Sequence, residues 1–491
     1  MNVLSLLKKN SWLLFLMMTF SAFSQSYEIN ITVNSRKDTI YLGHFFAKSD
    51  LTLLDDTAVL KKGKGVFKGN QKLAKGLYFI ICDGKKFDII IGDNQQFSMV
   101  ADTADFIHLT KFTNSPENDV FFGFQRYHAN VSRQAQQLNE QFKNASDDEK
   151  KEIRAKMQTI TKERQEYIEK LIADNSDLYV SKFLRILIPP EAYMPEPPRD
   201  DEGNITDPAF QRRWFRRHFF DNLDIFDPDM LRTIFYEDKL LEFMTRVIPQ
   251  HPDSICDEAD KILTKAMEND EIFRCILVSL FNYYTKSELI VHINVKVHLA
   301  QQWYIPHSWW STEDYVEQLK KFVEDNKILI GQVAPPIEML MILPPEHFKA
   351  AAMDTAIKFD LHAGTMIMDF RKELPKKKFT VLFFWDVGCS HCKKAIHELF
   401  DVYEELKNDD WQVVTVMVTN ERTAKGKWVD LVNENNYFGW INAWAPYTYK
   451  YKEVYVPVSF PQMYLLDEDN KILLKSIVPE QLKDIISNML Q

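Results

Sequence analysis

The chain has 491 residues, of which 45% are hydrophobic and 26% are charged, a composition typical of globular proteins with substantial cores. Its length predicts about three domains. The formal net charge of −10 argues against a nucleic-acid-binding protein, because there is no excess of lysine and arginine to neutralise phosphates.

The N-terminal segment predicts export. Lys8 and Lys9 precede an apolar run over residues 12–20, and small residues at 22 and 24 offer a cleavage site before Gln25. An uncleaved anchor is the alternative, but this run is shorter than the ~20 residues that a membrane span needs, and no later run is long enough. We expect a signal peptide over residues 1–24 and a soluble exported protein without a membrane span.

Residues 25–112 predict a β-rich domain. Short apolar or alternating runs, such as residues 27–33 and 76–81, are separated by turn signals at Asp83-Gly84 and at residues 92–94. Regular short strands of this kind are typical of a small antiparallel sandwich or barrel. The segment shows no residues with an evident chemical role.

Residues 113–329 predict a mostly helical domain. Asn114-Ser-Pro-Glu117 is a helix start, and apolar residues at helical spacing follow it. His292 and His298 would share one face of a strand but diverge on a helix. Without a third ligand they are weak evidence for a metal site in either case.

From residue 330 to 491 the pattern predicts an α/β domain with a mixed sheet. Phe379–Trp385 is apolar on both faces, as a central parallel strand should be, and residues 412–418 predict a second buried strand. Helices over about 390–406, 423–433 and 479–490 and a hairpin over 463–475 complete the pattern. Residues 343–378 are longer than a simple connection and predict an insertion.

Cys389 and Cys392 lie where the first of these strands passes into its helix. A Cys-x-x-Cys at such a junction indicates a dithiol/disulfide pair. Cys389 would lie at the helix N-terminus, where free N–H groups and the positive end of the helix dipole stabilise a thiolate. Cys392 falls on the face of Ile396 and Leu399, so we expect it to be buried. An exposed attacking thiol and a shielded resolving thiol suit disulfide exchange.

The other three cysteines make the total of five odd, so at least one thiol stays unpaired. Cys256 and Cys275 could form a disulfide, but both lie in helical patterns that favour buried apolar fillers. Cys82 lies in a strand-like run and has the same interpretation.

The C-terminal segment combines Trp385, Cys389-Ser-His-Cys392 and Phe460-Pro461 before a strand. In these residues it resembles the thioredoxin-fold domain of exported thiol–disulfide oxidoreductases related to the alkyl hydroperoxide reductase/thiol-specific antioxidant group. The resemblance implies that Pro461 is a cis-proline beside the dithiol and that the neighbouring backbone pairs with a protein client. Trp385, Phe460 and Pro461 would shape the client surface. With the signal peptide, we expect a periplasmic location and a membrane or periplasmic redox partner, and we expect no cofactor or metal.

Two departures from the family pattern and one histidine next to the second cysteine bear on the chemistry. Phe383 stands where thioredoxin keeps a buried acid, so the usual proton acceptor of the buried thiol is missing unless Asp386 or Glu398 substitutes. Phe460 is bulkier than the usual Thr or Val and would crowd the client surface. His391, when protonated, would stabilise the Cys389 thiolate and make the disulfide more oxidising.

Four alternatives compete with a thiol–disulfide oxidoreductase. A peroxidase would need Thr or Ser where Asp386 stands, and a metallochaperone would need His391 or His397 as a third ligand to a soft metal. A structural disulfide would close so short a loop that it constrains the unfolded chain little. An envelope binding or assembly protein is the remaining alternative, since most of the chain lies outside the redox domain. We expect an oxidoreductase acting on protein cysteines, with the direction of electron flow open.

Overall fold

The structure is a computed structural model that describes residues 26–358, 364–418, 422–445, 454–455 and 459–490. The predicted signal peptide therefore lies outside the described residues. The chain divides into two compact units, one reaching to residue 250 and including 258–279, the other comprising 251–257 and 280–491. The three domain boundaries drawn from the sequence stay a prediction.

The first unit begins with two four-stranded sheets, of strand order β4-β1-β7-β8 and β3-β2-β5-β6. The strands are β1 Tyr27–Val33, β2 Thr39–Phe46, β3 Lys48–Val59, β4 Lys64–Gly69, β5 Gly76–Cys82, β6 Lys85–Ile91, β7 Gln96–Ala101 and β8 Lys111–Thr113. This confirms the predicted β-rich domain, and two separate sheets favour the sandwich over the barrel. One pairing differs from the antiparallel prediction: β1 and β7 are parallel. They are distant in sequence, and the chain returns to the first sheet in its original direction after adding strands to the second.

The middle of the chain is helical, as predicted. Its helices are α1 Phe106–Leu109, α2 Pro116–Asn144, α3 Asp147–Asp174, α4 Tyr179–Arg185, α5 Phe210–His218, α6 Tyr236–Glu242, α7 Pro252–Ala266, α8 Asp270–Lys286, α9 His292–His298 and α10 Glu313–Asp325. Short 3₁₀ turns span Pro190–Tyr193 and Pro228–Met230, and π-helical turns span Phe243–Val247 and Leu299–Tyr304.

Local capping explains why the long helices begin where they do. Pro116 occupies the first turn of α2, where its missing N–H costs nothing. Ser146 and Glu149 form a reciprocal capping box at the start of α3.

His292 and His298 both belong to α9, so they do not share the strand face that would have brought them together. The described helices include none that is long and apolar enough to cross a bilayer.

The C-terminal part of the second unit contains a seven-stranded sheet of order β10-β9-β13-β12-β11-β14-β15. Its elements are β9 Leu340–Leu343, α11 Pro345–Met353, α12 Thr355–Lys358, β10 Thr365–Ile367, α13 Phe370–Glu373, β11 Phe379–Trp385, α14 Ser390–Leu406, β12 Trp411–Met417, α15 Arg422–Glu434, β13 Ile441–Trp444, β14 Gln462–Asp467, β15 Ile472–Lys475 and α16 Pro479–Leu490. β11, β12 and β13 are parallel, whereas β9, β14 and β15 run antiparallel to their neighbours. The predicted α/β domain with a mixed sheet is confirmed.

The segment predicted as an insertion, residues 343–378, forms part of this sheet domain. β10 pairs with β9 and extends the sheet at one edge. The Phe348 ring on α11 packs edge-on against Trp428 at 5.1 Å, and the Asn433 side-chain amide donates to the Phe348 carbonyl oxygen at 2.8 Å. The segment therefore covers one face of the sheet as well as lengthening it.

The central strand β11 is buried on both faces, as predicted. Because strand side chains alternate, Val381, Phe383 and Trp385 join one apolar core, while Leu382 and Phe384 join the core on the opposite face. The first core contains the inner face of α14. Apolar cores therefore pack on both faces of β11, the strand that leads into the dithiol.

Candidate functional site

A tight turn connects the end of β11 to the start of α14. The Asp386 carboxylate accepts the backbone N–H of Gly388 at 2.6 Å, and the Cys389 backbone N–H donates to the Asp386 carbonyl oxygen at 3.1 Å. Short polar side chains that bond to nearby backbone in this way favour turns. Cys389 is then the capping residue of α14, and its sulfur accepts the Cys392 backbone N–H at 3.3 Å.

The two cysteines differ in exposure as the sequence predicts. Cys389 is half-buried, whereas Cys392 is fully buried in the core that contains Ile396 and Leu399. Both are free thiols in this structure. Burial raises the pKa of Cys392 to about 12, and a hydrogen bond from the Asp386 backbone opposes this rise. A half-buried thiol and a fully buried thiol of raised pKa therefore lie one helical turn apart.

Phe460 and Pro461 lie beside Cys389. Their peptide bond is cis, as the resemblance implies. The Phe460 carbonyl oxygen lies 4.0 Å from the Cys389 sulfur, and both Phe460 and Pro461 are half-buried. β14 begins at the next residue and pairs antiparallel with β11, which brings this backbone to the edge where β11 ends. The contact of Phe460 and Pro461 with a client stays a prediction.

Trp385 is buried, whereas the predicted contact with a client requires an exposed side chain. Its side chain is fully buried in the core shared with Cys392 and Trp428. The alternation of β11 explains this, since Trp385 points to the same face as Phe383, toward α14. Its indole N–H has no hydrogen-bond partner among the described residues. The burial favours a supporting role beneath the dithiol rather than direct contact with a client.

Three residues are predicted from the sequence to affect the proton chemistry of the dithiol. His391 is exposed on the first turn of α14. Glu398 forms an ion pair with Lys394 at 3.3 Å along the same helix. Burial is the main cause of the raised pKa of Cys392, and the negative charge of Asp386 adds to it. Of the two acids considered as substitutes for the missing buried acid, Asp386 is therefore the better placed.

Lys425 is a buried charged residue at the edge of the sheet where β11 ends, and no sequence pattern predicts its burial. Lys425, in the first turn of α15, is only 5% exposed, and its ammonium nitrogen lies 3.0 Å from the centroid of the Trp444 ring. Trp444 ends β13, which runs parallel to β11, so both strands finish at the edge where Cys389 lies. A lysine in a short amphipathic helix is normally predicted to be exposed to solvent, so the sequence pattern gives no sign that Lys425 is buried.

Potential metal ligands do not cluster in the part of the chain that the structure describes, where no three His, Cys, Asp or Glu side chains come together.

Comparisons with known proteins agree with this architecture. Residues 377–472 match a family model described as thioredoxin-like, and residues 27–121 match a domain of unknown function, DUF4369. No curated protein matches the chain.

Several solved structures are similar to parts of the chain. A domain of a possible thiol-disulfide isomerase from Cytophaga hutchinsonii is 23% identical, covering 33% of this chain and 93% of that one, with a TM-score of 0.26. A thioredoxin-like protein from Bacteroides caccae is 16% identical, covering 60% and 98%, with a TM-score of 0.36. A thiol-disulfide oxidoreductase from Bacteroides fragilis is 19% identical, covering 32% and 99%, with a TM-score of 0.25.

The matched family model, the Cys-x-x-Cys at the start of α14 and the cis peptide bond beside it lie in one sheet domain. The C-terminal part of this chain is a thioredoxin-like domain, preceded by a helical region and an N-terminal DUF4369 domain.

Proposed function

We propose that the protein is an exported thiol–disulfide oxidoreductase that acts on cysteines of client proteins through Cys389 and Cys392. The observation that carries the proposal is the asymmetry of the pair. The Cys389 sulfur lies at the N-terminus of α14, accepts a backbone N–H and remains partly accessible, while Cys392 is fully buried one turn away. This arrangement supports attack by the first thiol and resolution by the second.

In the reducing direction, the Cys389 thiolate attacks one sulfur of a client disulfide. The client S–S bond breaks, a mixed disulfide forms, and the released client sulfur takes up a proton. Cys392 then loses its proton, and its sulfur attacks the Cys389 sulfur. The second client thiolate leaves, so the client gains two electrons and the Cys389–Cys392 pair becomes a disulfide. Client oxidation is the reverse sequence.

Resolution requires a proton acceptor, because burial holds the pKa of Cys392 at about 12 and keeps the thiol protonated at neutral pH. We assign this acceptor role to Asp386. Its backbone N–H bonds to Cys392, and its carboxylate acts electrostatically on the same sulfur. Its bond to the Gly388 N–H fixes the carboxylate in the turn that leads to Cys389.

The client would lie against the backbone at Phe460. The Phe460 carbonyl oxygen is 4.0 Å from the attacking sulfur, and this backbone leads directly into β14. An extended client segment pairing here would add main-chain hydrogen bonds next to the reacting sulfur, a common mode of peptide recognition. The half-buried Phe460 ring would limit which residues fit beside the client cysteine.

Exchange activity of two cysteine variants tests the proposal. Purified exported chain is incubated with reduced or oxidised model clients, and the products are separated without reductant. We expect Cys389→Ser to abolish exchange and Cys392→Ser to accumulate a mixed disulfide between Cys389 and the client. Cys256→Ser, which changes a half-buried thiol elsewhere, is the matched control and should retain full activity.

The same experiment separates the oxidoreductase from an envelope binding or assembly protein. Circular dichroism first verifies that the wild-type protein is folded. If this folded protein exchanges with neither small-molecule disulfides nor protein disulfides, the oxidoreductase proposal is wrong. Client binding that is unchanged in Cys389→Ser would then favour the binding protein.

Export is tested separately by fractionating a Gram-negative host and measuring the mass of the recovered chain. Cleavage before Gln25 with recovery in the periplasm supports the proposed location. A chain that keeps residues 1–24 and stays with the membrane contradicts it.

A further inference from the structure

A cavity of about 280 Å³ lies within the second unit, where the end of α8 and the start of α9 meet β15. Its wall includes two lysines from different elements, Lys296 on α9 and Lys475 on β15. Neither lysine forms an ion pair with a described residue. We propose that this cavity binds a carboxylate carried on a small apolar group.

Lys475 is the more deeply buried of the two cations, with 9% of its surface exposed. Its ammonium donates to the Asn326 side-chain oxygen at 3.1 Å and to the Ile328 carbonyl oxygen at 2.8 Å. Both acceptors are neutral, and an ammonium has three N–H groups. Because Lys475 also lines the cavity, its remaining N–H can bond to a ligand there.

Burial without an acidic partner is unfavourable for this cation. It lowers the pKa of Lys475 to about 8. The acceptors of Lys475 follow α10, so the negative end of that helix compensates part of the charge. An anion in the cavity would compensate the rest and would favour the charged form.

Lys296 supplies a second positive charge to the same cavity. Its nitrogen lies 4.1 Å from the centroid of the Phe322 ring, and burial lowers its pKa as well. Glu288 also lines the cavity, but it is exposed and its carboxylate would repel a multiply charged anion. Two lysines opposed by one exposed acid suit a single carboxylate better than a phosphate.

The apolar part of the expected ligand follows from the other cavity residues. Leu289 is 60% exposed and Ile290 is 41% exposed, and both line the cavity together with the half-buried Ile293. Exposed aliphatic side chains beside a cationic wall match a ligand with an apolar chain and a charged end. The cavity volume limits this chain to a small one.

Calorimetric titration of the full exported chain with octanoate tests the inference. We expect saturable one-to-one binding that becomes at least tenfold weaker in Lys475→Gln and weaker in Lys296→Gln. Lys471→Gln, an exposed lysine just before β15, is the matched control and should bind as wild type does. Circular dichroism verifies that each variant folds. If Lys475→Gln does not fold, the affinity of Lys296→Gln for octanoate is the test.

Two further probes identify the ligand chemistry. Octanol lacks the charge and acetate lacks the apolar chain, so each should bind at least tenfold more weakly than octanoate. Octanol binding as tightly as octanoate, inorganic phosphate binding more tightly than octanoate, or no octanoate binding would overturn the proposal. Equal octanoate affinity in wild type and both lysine variants would also overturn it.

Discussion

The sulfur of Cys389 lies 4.0 Å from the carbonyl oxygen of Phe460, although the two residues are 71 positions apart in sequence. The sheet brings them together. β14 runs antiparallel to β11, so the start of β14 lies at the edge where β11 ends and α14 begins. A client paired with the backbone at Phe460 would therefore have a cysteine within reach of the attacking thiol.

Replacing Asp386 by Asn should slow the resolution of mixed disulfides. A positioned general base contributes a factor on the order of 10² or more, so we expect a resolving rate at least tenfold lower at pH 7. Attack by Cys389 on a small disulfide should change much less. Stopped-flow measurement of the two steps checks this.

Whether Asp386→Asn slows or speeds resolution distinguishes a general-base role of Asp386 from a purely electrostatic one. Its negative charge raises the pKa of Cys392, so a purely electrostatic role predicts faster resolution once the charge is removed. Glu398→Gln, which changes an acid already paired with Lys394, is the control and should resolve at the wild-type rate. Unchanged or faster resolution in Asp386→Asn would exclude the base role.

Replacing His391 by Ala should make the dithiol a weaker oxidant. A protonated imidazole next to the helix N-terminus favours the Cys389 thiolate and therefore the reduced form. Because His391 is exposed, we expect a modest shift of about 20 mV toward more negative potential, which shrinks at high salt. Equilibration with glutathione at two ionic strengths measures the shift. A potential that does not move at low salt would exclude this role.

Replacing Phe460 by Thr should broaden the client range. The half-buried ring lies beside the attacking sulfur, and removing several carbon atoms opens space for bulky client residues. We expect kcat/KM to rise about tenfold for a client with a large residue next to its cysteine. It should change little for a small glycine-flanked disulfide peptide. Equal effects on both clients would mean that Phe460 does not select between them.

Alkylation of the native, reduced protein should modify two of the five cysteines. Cys389 and Cys256 are half-buried, whereas Cys82, Cys275 and Cys392 are buried and have raised pKa values. Mass spectrometry after iodoacetamide treatment at pH 8 should therefore find label on the first two only. Label on Cys392 before unfolding would contradict the shielded resolving thiol.

The same burial gives Cys392 a predictable effect on stability at high pH. Its pKa is about 12 in the folded protein and near the ordinary value of 9.0 when unfolded. Between these values the unfolded chain holds fewer protons than the folded one, so stability falls as pH rises from about 9 to about 12. Cys392→Ala should show a shallower fall in unfolding free energy over this window than wild type.

Sequence patterns were sufficient for the elements that define the site. An apolar run on both faces, a Cys-x-x-Cys and the following helical spacing placed Cys389 at a helix start and Cys392 in the core, and both placements are confirmed. These features are local, because the alternation of a strand and the period of a helix act within a few residues.

Features that depend on distant pairing could not be read in this way. The parallel pairing of β1 with β7 and the addition of β10 to the sheet both join segments through contacts that no local pattern encodes. The burial of Trp385 depends on which face of β11 meets α14, and resemblance to a motif carries no information about that face. Lys425 is buried for the same kind of reason, since its neighbour Trp444 comes from another strand.

The reduction potential of the Cys389–Cys392 pair shows whether this dithiol can exchange with client disulfides. The full exported chain is equilibrated with graded ratios of reduced and oxidised glutathione, and the disulfide is quantified by mass. We predict a reversible two-electron transition between about −270 and about −120 mV that is absent in Cys389→Ser. A pair that forms no disulfide, or whose disulfide does not exchange with glutathione across this range, would contradict the proposed oxidoreductase.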